Sequence, residues 1–343
     1  MDEELLRRFE EAKRFSIISR IGNTPCIKLD RLKKILSLPE NINIWGKVEG
    51  LNPGGSIKDR PALFMIEDGI RSGNLTSEKI VLDSTSGNTG IAYAMICAVL
   101  GIKLRLCIPS NASFERLKIL TIFGAELILT DPLEGSDGAM DECMRIYEKN
   151  PDLYFKPDQY SNLANPKAHY NTTSLEIWQS LGGKVDFFVA GVGTGGTIMG
   201  AGKRLKELNP SLKVVAVEPE EPVHGLEGLR NTKYSVIPKI FDVNFPDFYV
   251  RVKTEDAYRM CRLVASHEGL FIGPSAGAAL KASEIIAREF APHRISSNSS
   301  PNINIVAILP DSGDRYFSSR LWEDKRFTEL LSRIRWQKEI KSK

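Results

Sequence analysis

In NPGGSIKDR, at 52–60, a lysine follows three residues after a pair of glycines. An amine held beside a carbonyl can form a Schiff base, whereas a solvated lysine is only a charge. Lys58 is therefore the first candidate for chemistry, and adjacent glycines let its backbone follow a path closed to other residues. Two further stretches carry polar groups at helix starts. STSGNTG (84–90) places Ser84, Thr85, Ser86, Asn88 and Thr89 where unpaired backbone N–H groups and the helix dipole favour an anion of carboxylate size. GVGTGGT (191–197) offers a backbone nest at Gly193, Gly195 and Gly196 with hydroxyls from Thr194 and Thr197, suited to a phosphate. Taken singly, each has a plain alternative: a surface lysine, an ordinary N-cap, a tight turn. No GKS or GKT follows the second loop, and its G-x-G-x-G spacing departs from the dinucleotide fingerprint, so a single phosphate fits better than a pyrophosphate.

Both loops join an apolar run to a helical pattern. From 80 to 130, IVL, LRLCIP and AELILT alternate with IAYAMICAVL and SFERLKILTIFG; from 185 to 310, VDFFVAG, KVVAVEPE and NIVAILP alternate with TIMGAGKRLKEL, TEDAYRMCRLVASHEG and SAGAALKASEIIAREF. That beat predicts parallel βαβ units in two α/β lobes, with ligands beyond the carboxyl ends of the strands. Ala92, Met95, Ile96 and Val99 share one helical face, expected to pack on a sheet. The predicted smaller, mobile lobe is 49–154; 1–48 with 155–325 forms the larger one, and 326–343 a C-terminal helix or tail. Segment 221–252 has no clear period, and 291–302 reads as a surface loop.

With Lys+Arg 46 against Asp+Glu 43, the net charge of +3 gives no electrostatic footprint for nucleic acid, and no basic tract with interleaved aromatics is present. The five cysteines form no CxxC, so neither a metal-ligand spacing nor a disulfide framework is indicated, and no metal is expected. The acidic, amphipathic start lacks the features of a signal peptide, and the longest apolar run, at 91–102, is too short for a bilayer. The expectation is a cytoplasmic protein acting on small molecules, with neither nucleic acid nor membrane as partner.

A phosphate site, a carboxylate site and a lysine after a glycine turn are together what pyridoxal phosphate chemistry needs. NPGGSIKDRPA, STSGNTGIA, DQYSNLANPKAHY, GVGTGGTIMG, GPSAGAAL and LPDSGDRY resemble the motifs of the cysteine synthase and cystathionine beta-synthase family, fold type II pyridoxal phosphate enzymes, from residue 21 to 316. The resemblance implies two three-layer α/β lobes with mostly parallel central sheets, and a homodimer. It implies that Lys58 binds the cofactor covalently, that Gly193, Thr194, Gly195, Gly196 and Thr197 cradle its phosphate, and that Asn88 meets the ring hydroxyl. Thr85, Ser86, Thr89 and Gln159 would hold the substrate carboxylate, with Asn88 beside them, and Ser275 would face the pyridine nitrogen. A neutral hydroxyl there leaves the ring a weaker electron sink than an aspartate would, which favours prompt departure of a leaving group from Cβ. His169 of NPKAHY reads as a structural hydrogen-bonder.

The implied reaction is β-replacement, making L-cysteine from O-acetyl-L-serine and sulfide through an α-aminoacrylate, with Lys58 as base. EPVHGLEGLRN is similar to the B-type branch, some members of which prefer O-phosphoserine, and Arg230 is the candidate for meeting that phosphate. The alternatives are cystathionine synthesis from serine and homocysteine, β-replacement with an amino-acid nucleophile in siderophore assembly, and a nucleotide-binding α/β protein without pyridoxal phosphate.

Overall fold

Runs that are apolar on both faces form strands that need cover on both sides, and the chain builds two such sheets. The computed structural model describes residues 2–85, 87–290, 302–323 and 329–330. The smaller sheet contains β3 (Ile80–Ser84), β4 (Lys103–Pro109), β5 (Glu126–Thr130) and β6 (Tyr154–Phe155), in the order β5-β4-β3-β6 and all parallel. One face is covered by α4 (Asn88–Leu100) and α5 (Phe114–Ile122), the other by α6 (Gly135–Lys149), whose Ala139 and Cys143 pack on Leu82 and Cys107.

The larger sheet runs β1-β2-β10-β7-β8-β9, with β1 (Cys26–Lys28) antiparallel to β2 (Ile42–Val48). Strands β7 (Phe187–Gly191), β8 (Lys213–Pro219), β9 (Phe248–Val252) and β10 (Ile303–Leu309) are parallel, β10 lying between β2 and β7. On one face, α2 (Asp30–Ile35), α10 (Thr254–Glu268) and α11 (Pro274–Phe290) form a core with Val189, Val215 and Ile305. On the other, Ile177 of α8 (Ser174–Ser180) and Leu205 of α9 (Lys203–Leu208) pack on Phe188, Val214 and Val306. The chain thus has the two three-layer α/β lobes of fold type II.

Two expectations need correction. Helix α1 (Glu3–Phe15) belongs with the smaller lobe: its stripe of Leu5, Phe9 and Ala12 packs against α4 and against Ala62, Met65 and Ile66 of α3 (Asp59–Arg71). Its cap residue Asp2 ties it there, one carboxylate oxygen accepting from Leu5 N at 2.9 Å and the other from Ser77 N at 2.8 Å. Of residues 1–48, only those from about β1 onward join the larger sheet. The same packing changes α4, which is buried along nearly all its length between sheet and helices, with Ala98 its exposed position. The expected stripe of Ala92, Met95, Ile96 and Val99 is therefore part of an all-round apolar surface. The segment 221–252 without a period contains β9, an edge strand whose exposed Tyr249 and Arg251 break the apolar run. Most of the expected loop at 291–302 and of the tail at 326–343 lies outside the described residues.

Candidate active site

Lys58 sits where the two lobes meet. The side chain of Ile57 is buried in the larger lobe's core and its N–H donates to Pro310 O at 2.8 Å, while α3 begins at Asp59 and packs in the smaller lobe. The glycine pair shapes this entry: Gly55 has φ +79°, a left-handed conformation costly for other residues, and a side chain there would run into the Arg315 guanidinium. Arg315 also donates to Gly54 O, and Gly54 N donates to Asp59 Oδ2 at 2.5 Å. Lys58 is half-buried, and desolvation pulls its amine below the usual lysine range, opposed by the Asp311 carboxylate.

Lys58 borders two adjoining spaces. The larger, about 470 Å3, is lined by Thr85, Asn88, Thr89, Gln159 and Arg230 among others. The smaller, about 50 Å3, is walled by Gly193 to Thr197, Ser275, Asn88 and Asp311. The structure therefore brings together every expected site residue except Ser86, which lies outside the described residues.

The walls of both spaces are held by hydrogen bonds. Thr89 Oγ1 donates to Gln159 Oε1 at 2.8 Å, both residues buried, and Gly87 N donates to Thr85 Oγ1 at 3.3 Å. Asn165 Nδ2 donates to Gln159 O (2.8 Å) and Thr194 Oγ1 (3.1 Å), fastening the substrate side to the glycine loop. In that loop Gly195 has φ +84°, and an added Cβ would stand 2.6 Å from Phe241 Cβ. His169 is buried with Nδ1 at 3.0 Å from Thr173 Oγ1 and Nε2 at 3.4 Å from Thr197 Oγ1; burial pulls its pKa down to about 3, so the ring is neutral and orients a loop hydroxyl.

Several participants carry no role in the sequence reading. Asn88 Nδ2 donates to Asp311 Oδ2 at 2.7 Å, and its Oδ1 accepts from Arg315. Arg116, on α5, reaches across the larger cavity to pair with Glu227 Oε2 at 2.5 Å and lies over the Tyr316 ring. LPDSGDRY contains three of these residues, but only the fold shows that Asp311, Arg315 and Tyr316 face Asn88 and the Lys58 loop.

Beside Lys58, burial pushes the Asp59 carboxyl up to about 7, against the Gly54 N–H and Arg315. A carboxyl whose folded value exceeds its unfolded value favours folding while protonated, so this contribution falls as pH rises from about 4 to about 7. Asp59→Asn is expected to flatten the decline in unfolding free energy, measured by urea titration, over that range by an amount on the order of a few kcal/mol. Asp83, pushed to about 6 by its own burial, retains a slope of the same sign.

A desolvated amine, a glycine nest with two threonine hydroxyls, a buried serine and Asp311 line one small space, and this set fits a singly phosphorylated aldehyde cofactor. The family model described as pyridoxal-phosphate dependent enzyme matches residues 17–311. The chain is 47% identical to a cysteine synthase of Aquifex aeolicus over 91% of its own length and 93% of that protein. It is 38% identical to a cysteine synthase B of Pseudomonas aeruginosa over 90% and 98%. The crystal structure of a cysteine synthase from Entamoeba histolytica superposes with a TM-score of 0.83 at 36% identity, covering 91% of each chain. The chain belongs to the pyridoxal-phosphate dependent enzyme family, and pyridoxal phosphate is its cofactor.

Proposed function

We propose that this enzyme makes L-cysteine from O-acetyl-L-serine and sulfide by β-replacement. The observation that carries the reading is the pair of adjoining cavities, both lined by Lys58, that bring it together with the glycine loop and the polar start of α4. Similarity to cysteine synthases over nine-tenths of the chain supports it. When bound, the cofactor supplies the electron sink that makes the substrate's α-proton removable. Gly193 to Thr197 would hold its phosphate, Asn88 and Ser275 would meet its ring, and Lys58 would tether it. Thr85, Thr89 and Gln159 would hold the substrate carboxylate beside the first turn of α4, where open N–H groups and the dipole favour an anion. Lys58 Nζ would take the α-proton as acetate leaves Cβ and return it after sulfide has added. Its closeness replaces a bimolecular encounter.

The test supplies purified holoenzyme with O-acetylserine, O-phosphoserine or serine, each with sulfide, and measures cysteine; a second arm pairs serine with homocysteine. Cysteine from O-acetylserine is the expected product. Turnover of serine with homocysteine alone would overturn the assignment.

One observation favours O-phosphoserine as a second donor. Arg230 is fixed in the cavity wall, with its N–H on Val192 O at 2.7 Å, Nη2 on Tyr160 Oη at 2.9 Å, and its guanidinium 4.8 Å from the Tyr160 ring centroid. A guanidinium so placed suits a phosphate dianion better than an acetyl ester. Arg230→Ala is expected to lower kcat/KM for O-phosphoserine roughly 10–100-fold, the loss of a charged hydrogen bond, and that for O-acetylserine only a few-fold. Equal losses for both donors would remove Arg230 from donor recognition.

We infer further that the chain works as a homodimer in the cytoplasm. Exposed Phe15, Phe114, Ile122 and Leu133 offer apolar surface for a second copy, and the five cysteines are unpaired, in keeping with a reducing compartment. No helix among the described residues is long and apolar enough to cross a membrane. Light scattering on the eluting protein measures the oligomer.

A further inference from the structure

We propose that Asp311 is the counter-ion of Lys58: one carboxylate oxygen locks the Asn88 amide, and the other faces the Lys58 amine and stabilises the ammonium it becomes on taking the substrate's α-proton. The proposal rests on the β-replacement reading.

Asp311 lies just past the carboxyl end of β10 and is 2% exposed. Its Oδ2 accepts from Tyr316 Oη at 2.6 Å and from Asn88 Nδ2 at 2.7 Å. Its Oδ1 is shielded from solvent and has no hydrogen-bond partner among the described residues. A buried carboxylate oxygen without a donor is costly, so a fold that keeps one implies a partner present at some stage of the reaction. Lys58, Asn88, Gly195 and Ser275 border the same small space as Asp311. The Asp311 charge also favours the protonated form of Lys58, against the desolvation that disfavours it. Burial raises the Asp311 carboxyl above the usual carboxylate range, opposed by the two donors on Oδ2 and by Arg315 and Arg116.

The chemistry requires such a group. When Lys58 removes the α-proton, a C–H bond breaks and an N–H bond forms at Nζ, and the electron pair released at Cα drives acetate from Cβ. A desolvated ammonium then stands in the cavity until the proton is returned. Asp311 neither gains nor loses a proton; it offsets the charge on Nζ. Through Oδ2 it also fixes which way the Asn88 amide points, because Arg315 holds the amide's oxygen side.

The experiment compares wild-type holoenzyme with Asp311→Asn and Asp311→Ser. Asparagine keeps the shape and can still accept from Asn88 and Tyr316, while serine is smaller and cannot overpack. Three quantities are read: cofactor retained after dialysis, the pH at which the visible absorbance band titrates, and the kinetic isotope effect with α-deuterated O-acetylserine in a single turnover. Both neutral variants are expected to retain cofactor, to titrate about one pH unit toward acid of wild type, and to slow α-proton removal roughly 10–100-fold with a larger isotope effect. KM for O-acetylserine should move less than about threefold, since the carboxylate site is intact. An unmoved titration and an unchanged isotope effect in either folded variant overturn the proposal, as does loss of cofactor from both with no spectral shift in what remains. Wild-type turnover of O-acetylserine separately tests the reading beneath it.

Discussion

Lys58→Ala is expected to lower kcat by about 10³–10⁵-fold and to leave no cofactor covalently attached after borohydride treatment. A positioned general base contributes roughly 10²–10⁴-fold, and the proximity of a tethered group adds to this. Nothing nearby replaces it: among the described residues lining the two cavities, Lys58 is the one primary amine. Arg116 and Arg230 share the larger space, but a guanidinium stays protonated and cannot act as base or imine donor at neutral pH. Lys58→Arg is accordingly expected to be as inactive as alanine. Methylamine added to the alanine variant should restore part of the α-proton step, linearly in amine concentration. The decisive measurements are single-turnover rates with O-acetylserine and the intact mass after reduction. An alanine variant within tenfold of wild type would remove Lys58 from the chemistry, and the β-replacement assignment with it.

What the sequence disclosed about this site follows from which contacts are local. The turn around Gly55, the polar start of α4 and the nest at Gly193 to Thr197 are written into short stretches, because glycines mark backbone paths and hydroxyls mark helix starts. Strands β3, β4, β7, β8 and β10 were equally legible, being continuous apolar runs between breakers. Strand β6 was not: it pairs with β3 through only Tyr154 and Phe155, too few residues to show a period. Helix α1 announced an apolar stripe but not its destination, since an amphipathic pattern states that a face is buried and not against what. The same reason hid Asp311 and Arg116. Asp311 acquires a role by meeting Asn88, 223 residues away, and Arg116 by meeting Glu227, 111 residues away, and no local pattern encodes such meetings.

Beneath Lys58 lies a second consequence of long-range assembly, and it carries the largest expected effect on stability. Arg60 is 1% exposed and makes two double contacts. It grips Glu49 through Nε (2.6 Å) and Nη2 (2.8 Å), and Glu176 of α8 through Nη1 (2.6 Å) and Nη2 (2.7 Å). Lys47 Nζ completes the cluster at 2.5 Å from Glu176 Oε2, so two cations balance two carboxylates where α3 meets β2 and α8. Replacing Arg60 with alanine leaves a net buried negative charge, with Glu49 fully enclosed. Breaking a buried pair in this way costs about 3–5 kcal/mol, and the thermal midpoint should fall by roughly 10 °C. The acid dependence should change with it. In the wild type, Arg60 and Lys47 hold Glu176 at about 2, below its unfolded value, so its contribution is present above about 4.5 and is lost as pH falls from there through 2. Without Arg60, burial raises Glu49, which then folds more readily when protonated, and the defect should be smaller at pH 5 than at pH 8. Glu49→Gln added to the arginine variant should recover part of the loss, giving a coupling well outside additivity in a double-mutant cycle of unfolding free energies from urea titration. If the two substitutions add within about 0.5 kcal/mol, the charges act independently and the cluster is not what fixes the start of α3, and with it Lys58, against the larger lobe.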